Sequence, residues 1–251
     1  MARTISIHSF RGGTGKTNTT ANLAALLGRA GKRVAVVDTD IQSPGIHVLF
    51  GLDESAVRHT LNDFLWGACD IREAAHDVSA VAGAAGPGAV YLVPSSTRSG
   101  DIARVLREGY SVEMLTDGFQ AMIGDLALDV LLIDTHPGLN EETLLAIAIS
   151  DVLLVIMRPD QQDYLGTGVT VEVARRLEVP RMLMVVNKTP EIFAPTEVKA
   201  KVEDAYGCPV VGVLPHSETM MQLASGGIFA VHHPDHPLSA IYAKISKALL
   251  D

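Results

Sequence analysis

Residues 10–17 read Phe-Arg-Gly-Gly-Thr-Gly-Lys-Thr, a run whose chemistry is that of a phosphate cradle. In the common pattern G-x-x-x-x-G-K-[ST], glycine-rich backbone turns its N–H groups toward phosphate. The lysine reaches the terminal phosphates, and the Ser/Thr hydroxyl serves Mg²⁺. Gly15, Lys16 and Thr17 supply the end of that pattern, with Gly12, Gly13 and Thr14 before it and Asn18 after it. Two positions depart from it: Phe10 stands where the first glycine belongs, and Arg11 puts a second cation inside the loop. A G-G-x-G-K-T run arises by chance in a chain of this length with a probability of roughly 1 in 1,000 or less. A nucleotide is therefore the first ligand to expect.

Acids at the ends of two apolar runs extend the same chemistry. Val36-Val37-Asp38-Thr39-Asp40 closes one run with carboxylates at i and i+2, which leave a strand end in the same direction. Carboxylates placed so hold Mg²⁺ through water, or orient an attacking water. Leu131-Leu132-Ile133-Asp134 closes another run in the Walker B manner, with Asp134 placed to order the metal shell. The following Pro137-Gly138 turn lets the Gly138 amide approach a terminal phosphate, because no Cβ intervenes. Asn187-Lys188-Thr189-Pro190 resembles the guanine-reading N-K-x-D loop, but Pro190 offers no carboxylate to the guanine N1 and N2 hydrogens. Asn187 can still bond a purine edge, so adenine is favoured.

These residues need a frame that brings several strand ends together. Apolar runs at Ile5–Ser9, Val34–Asp38, Val90–Val93, Val130–Asp134, Val152–Met157, Met182–Asn187 and Val210–Leu214 are nearly continuous. Such runs suit strands buried on both faces of a parallel sheet. Helical patterns over Lys16–Ala30, Ile102–Glu108, Val112–Leu126, Glu141–Ile149, Gln161–Leu177, Thr196–Tyr206, Thr219–Ala224 and Leu238–Leu250 fall between and after them. The alternation predicts an α/β fold: one doubly wound, mostly parallel seven- or eight-stranded sheet flanked by helices, as a single domain over 1–251. Ligands of such sheets bind beyond the carboxyl ends of the strands, where the motifs above lie. The small-residue stretch Ala80–Gly88 reads as a flexible connection.

Arg11–Thr17, Ala21-Asn22-Leu23-Ala24, Gly31-Lys32-Arg33-Val34, Asp38-Thr39-Asp40, Asp134–Gly138, Asn187 and Gly212-Val213-Leu214-Pro215 together resemble the MinD/ParA family of deviant Walker A P-loop ATPases. The match is collinear over nearly the whole chain. The resemblance implies ATP and Mg²⁺ as cofactors and an ATP-dependent sandwich homodimer that hydrolyses slowly. It implies nucleotide contacts from Gly12 to Asn18 and from Gly138, Asn187, Leu214 and Pro215. Thr17, Asp38 and Asp134 would organise the metal, Lys16 would contact β/γ phosphate, and Asp40 would position the water. The family's signature lysine, which crosses the dimer to the partner's phosphates, falls at Arg11. Arginine keeps the charge but is longer, planar and five-donored, so the replacement is not neutral.

The composition removes other classes. With 47% hydrophobic residues and a net charge of −9, the 251 residues suit a large packed core rather than a basic nucleic-acid module. Cys69 and Cys208 have neither CxxC nor CxC spacing, which argues against a disulfide framework or a thiolate metal site and fits a reducing compartment. No run reaches the ~18 apolar residues of a transmembrane helix, and Met-Ala-Arg-Thr leads directly into a strand, so a cytoplasmic protein without a leader is expected. His232-His233-Pro234-Asp235-His236 reads as a solvated loop, and His8 and His136 as packing and hydrogen-bonding residues. The stripe Leu238, Ile241, Tyr242, Ile245 and Leu249 reads as a packed terminal helix, so direct membrane attachment is not expected. Arg104 with Arg107, Arg175 with Arg176 and Arg181, and Lys199 with Lys201 are the basic clusters that non-specific DNA would need. The expected function is an ATP-dependent dimer switch that positions a plasmid, chromosome locus or protein assembly through nucleoid binding, with an adaptor or activating protein. A MinD-like regulator acting through protein or membrane partners, and a metal or cluster carrier ATPase, stand as alternatives.

Overall fold

The computed structural model describes residues 2–53 and 55–251. Its centre is an eight-stranded sheet. The strands are β1 (Arg3–His8), β2 (Arg33–Asp38), β3 (His76–Asp77), β4 (Ala89–Val93), β5 (Val130–Asp134), β6 (Val152–Met157), β7 (Arg181–Thr189) and β8 (Val210–Pro215). They lie in the order β3-β4-β2-β5-β1-β6-β7-β8, and every neighbouring pair is parallel except β3 with β4. All seven apolar runs are strands. The eighth strand, β3, is a two-residue antiparallel edge too short to carry any periodic signal.

Each central strand divides its side chains between two apolar layers, because successive residues face opposite sides. Ile5, Ile7, Val34, Val36, Leu132, Leu154 and Val185 belong to one layer. Ala35, Val37, Leu131 and Ile133, then Leu153, Val155, Met184 and Val186, belong to the opposite face. Burial on both faces is why these strands read as continuous apolar runs rather than alternating ones.

The helix Lys16–Arg29 packs on the first layer, with small and apolar residues buried along most of its length. Its Gly28 lies against Val90 and Ala84, close enough that a Cβ would collide with the Val90 side chain. The terminal helix Pro237–Ala248 covers the same layer, burying Leu238, Tyr242 and Ile245, with Leu249 just beyond it. Its apolar stripe is core, as the spacing implies. Helices Val112–Asp125 and Glu141–Ala148 cover the other face beside β2 and β5, and Gln161–Arg176 and Pro195–Tyr206 cover it beside β6 and β7.

Two local readings need correction. The Ala80–Gly88 stretch is not simply a flexible connection, since Ser79–Ala82 forms a helical turn ended by Gly83 at φ 66°. Alanines favour the helix, and glycine takes the left-handed position that closes it. The histidine run is likewise more ordered than a solvated loop. His232 ends a short helix from Phe229, the His236 ring accepts from the Leu238 N–H at the start of the terminal helix, and His233 and His236 pack on the Phe229 ring.

Candidate functional site

β1 sits between β5 and β6, where the sheet's winding reverses, and the 9–15 loop leaves its carboxyl end. Gly13 and Gly15 adopt φ values of 75° and 96°, the left-handed region that glycine enters without penalty. Gly15 is required for a second reason: a Cβ there would collide with the Asn187 amide. The loop then opens the helix at Lys16, whose N-terminus carries free N–H groups and partial positive charge.

β7, two places from β1 in the sheet, staples this loop. Register shifts between Val186 and Thr189, and Lys188 takes φ 53°, a bulge that re-aims the end of β7. Asn187 Nδ2 donates to the Thr14 carbonyl at 2.7 Å, and Lys188 Nζ donates to the Gly13 carbonyl at 2.8 Å. The Lys188 N–H also donates to Asn187 Oδ1 at 2.8 Å. Asn187 thus holds the loop, a role beyond the purine edge read from its sequence. Lys188 is a site residue that sequence reasoning passed over, although it stood inside a quoted motif.

The acids converge from neighbouring strands. Asp38 and Asp134 are register partners across β2 and β5, and each is only 1% exposed. Burial is the largest cause holding both carboxyl groups above the ordinary carboxylate range. For Asp38 the neighbouring Asp134 and Asp40 charges add to it; for Asp134 the Lys16 ammonium and the Thr17 and Thr20 hydroxyls oppose it. Lys16 Nζ lies 3.9 Å from Asp134 Oδ1 and is itself buried. Two buried, facing carboxyl groups with one ammonium between phosphate loop and sheet form a setting short of positive charge.

That donor set fits Mg²⁺ carried with a nucleotide. Among the described residues no three His, Cys, Asp or Glu side chains gather into an all-protein metal cage. Mg²⁺ needs none, because it keeps several waters and takes phosphate oxygens alongside one or two carboxylates. Thr17, Asp38 and Asp134 are the protein groups that would hold it, supplying charge neutralisation at the phosphates.

Asp40 lies on the rim of the same cleft. Its Oδ1 accepts from His136 Nδ1–H at 2.6 Å and from the Ser43 N–H at 3.1 Å. Gly138, at φ 87°, follows Pro137, and its N–H donates to the Ser9 carbonyl at 3.2 Å. The cleft, about 410 Å³, is walled by Gly12–Asn18, Asp40, His136, Pro137 and Lys188. A second cleft of about 370 Å³ shares Gly15, Asn18 and Lys188 with it and adds Asn187 and Pro215. The two clefts adjoin at Gly15, Asn18 and Lys188. Leu214 does not take part through its side chain, which is fully buried in the core.

His8 is entirely buried behind the loop. The Thr135 hydroxyl donates to the Ile7 carbonyl, so it accepts from His8 Nδ1–H at 2.9 Å. Nε2 then lacks a hydrogen-bond partner among the described residues. Burial, with help from the Lys16 and His136 charges, lowers the His8 pKa to about 3.

The two departures from the common loop pattern both meet the helix Gln161–Arg176 and its cap. The Phe10 ring packs on Gly166, where any Cβ would collide with it. Arg11 Nη1 reaches Asp163 Oδ1 at 3.2 Å and Asp160 Oδ1 at 3.4 Å. Asp160 caps the helix Gln161–Arg176 by accepting from the Asp163 N–H, and buried Asp163 is also held by Arg158. Neither acid was singled out in the sequence, although the Arg158-Pro159-Asp160 stop after β6 is a helix-start signal.

With this geometry in view, comparison with known proteins is decisive. The family model for an AAA domain matches residues 2–178. An uncharacterized ATP-binding protein of Methanocaldococcus jannaschii is 32% identical over 251 residues, covering 100% of this chain and 88% of that protein. The chain belongs to the MinD/ParA family of P-loop ATPases. The septum site-determining protein MinD of Synechocystis sp. is 27% identical over 224 residues, 88% of this chain and 79% of its own. In fold, the chain matches Pyrococcus horikoshii MinD, solved with Mg-ADP, at a TM-score of 0.82. That match has 23% identity and covers 99% of this chain and 96% of the other. The eight-stranded sheet and its flanking helices are therefore the family's architecture.

Proposed function

We propose that this MinD/ParA-family protein is an ATP-dependent homodimer switch that positions a cellular cargo and resets by slow, partner-stimulated hydrolysis. The observation that carries this reading is a cleft walled by Lys16 and Asp40, with the facing pair Asp38 and Asp134 buried behind Lys16 and a second cleft adjoining it. In this reading Lys16 and the loop amides bind the β and γ phosphates. Thr17, Asp38 and Asp134 hold Mg²⁺. Asp40 orients water, and Arg11 leaves Asp160 and Asp163 to reach the nucleotide of a second copy. Relatives named as septum site-determining proteins support a positioning role. ATP turnover measured beside dimer content tests the reading: Asp40→Ala should accumulate the ATP dimer, and turnover equal to wild type would contradict the assignment of Asp40.

A second reading, partner proteins in place of a DNA matrix, has an observation in its favour. The basic clusters are largely engaged within the chain. Arg104 pairs with Glu108 and stacks on Trp66, Arg176 pairs with Glu172, Lys199 pairs with Glu203, Arg175 donates to the Tyr206 carbonyl, and Lys201 sits over the Tyr164 ring. Nucleoid binding predicts a salt-sensitive, ATP-dependent shift of plasmid DNA; no shift at low salt with ATP favours the protein-partner reading. The metal-carrier alternative is weaker, because Cys69 and Cys208 lie in separate apolar clusters and burial raises both thiol pKa values.

A further inference from the structure

Among the described residues, the His136 side chain makes its one hydrogen bond to Asp40. The loop after β5 carries it, and the Thr143 hydroxyl fixes its backbone by donating to the His136 carbonyl at 3.2 Å. Its Nδ1 lies 2.6 Å from Asp40 Oδ1. An ionised carboxylate only accepts, so Nδ1 carries the proton of this bond. The Ser43 N–H lands on the same oxygen at 3.1 Å. Both donors therefore grip Oδ1, and Oδ2 has no protein hydrogen bond among the described residues. Asp40 and His136 both wall the phosphate cleft.

The terminal torsion of an aspartate is broad and nearly two-fold, so an untethered carboxylate exchanges its oxygens and swings. Two donors on one oxygen remove that freedom and leave the other oxygen to accept from water. We propose that His136 is a positioning residue for hydrolysis, holding the Asp40 carboxylate by Oδ1 so that Oδ2 receives the attacking water. The inference rests on the reading of Asp40 as the water-orienting residue. It also gives a role to a side chain that packing alone does not explain: His136 joins the loop after β2 to the loop after β5 at the rim of the cleft.

A merely structural staple would alter stability and nucleotide binding together. A positioning residue lowers kcat while leaving KM and nucleotide affinity in place. The test uses the full chain with Mg-ATP, comparing wild type, His136→Ala, His136→Asn, Asp40→Ala and the Asp40→Ala/His136→Ala double variant. Asparagine places an N–H donor near the position of Nδ1 and serves as the conservative rescue. The expected result is a kcat roughly 10-fold or more lower in His136→Ala, the scale of a lost hydrogen bond to a charged group. Nucleotide affinity should stay within about 2-fold, most of kcat should return in His136→Asn, and His136→Ala should add nothing in the Asp40→Ala background.

Wild-type kcat in His136→Ala, with Asp40→Ala impaired, overturns the positioning role alone. Equal losses in His136→Ala and His136→Asn, accompanied by weaker nucleotide binding, overturn it in favour of a staple. Wild-type kcat in Asp40→Ala overturns the reading of Asp40 on which the inference stands.

Discussion

Lys16 and Arg11 belong to one loop and carry the same charge, yet the fold treats them in opposite ways. Lys16 is buried at the start of a helix, 3.9 Å from a carboxylate that is itself buried. Its position follows from the strand–loop–helix frame, and its removal would leave Asp38 and Asp134 facing each other without a cation. Arg11 lies at the surface with its side chain 36% exposed, reaching Asp160 and Asp163 across distances of 3.2–3.4 Å. The Asp160 pair, part-exposed on both sides, contributes about 0–1 kcal/mol, and buried Asp163 keeps Arg158 as a partner when Arg11 leaves. One cation is fixed by architecture; the other is held by a contact weak enough to exchange for a better partner. The proposed switch uses that difference within a single loop, one charge defining the site and the other free to meet a second molecule.

The largest expected effect comes from breaking the buried member. Lys16→Ala should weaken ATP binding at least about 100-fold, because charge-assisted contacts to phosphate are lost from a desolvated site; calorimetric titration with ATP checks it. The same titration on Arg11→Ala should differ from wild type by no more than about 3-fold, as its pairing lies outside the cleft. Comparable losses in the two variants would erase the contrast. A smaller effect sharpens it. Asp160→Asn keeps the helix cap but removes one of the two charges that hold Arg11, so the ATP-dependent dimer constant should tighten by up to about 5-fold, in keeping with a surface pair. Sedimentation at several protein concentrations measures this.

Acid stability separates the buried side of the site from its rim. The folded His8 pKa is about 3 against an ordinary 6.5. The unfolded chain therefore takes up a proton below about pH 6.5 that the folded chain refuses until about pH 3. His8 costs no stability above pH 7, and its cost grows as pH falls through that window. Between pH 7 and pH 5 the linkage is worth about 2 kcal/mol. In denaturant titrations, His8→Asn should lose about that much less stability than wild type over the same interval.

The sheet was largely legible because burial on both faces writes strands as continuous apolar runs, and the candidate site was legible where its residues lie together at a strand end. Phosphate-loop glycines, Asp38, Asp40 and Asp134 announce themselves through neighbours in sequence. Contacts between distant segments do not. The grip of Asn187 and Lys188 on the loop depends on a bulge at the end of β7, and the pairings of Arg11 with Asp160 and of His136 with Asp40 join separate strand ends. No spacing rule contains them. β3 was hidden for a different reason, since two residues hold less than one full alternation.

Sedimentation of the full chain in an Asp40→Ala background, with Mg-ATP or Mg-ADP, and with Arg11 intact or changed to alanine, tests the exchangeable cation most directly. The expected result is a dimer with ATP alone that is lost in Arg11→Ala while ATP still binds. The same dimer fraction with and without Arg11, or a monomer in saturating ATP, would contradict a switch in which that arginine leaves its own chain for a partner.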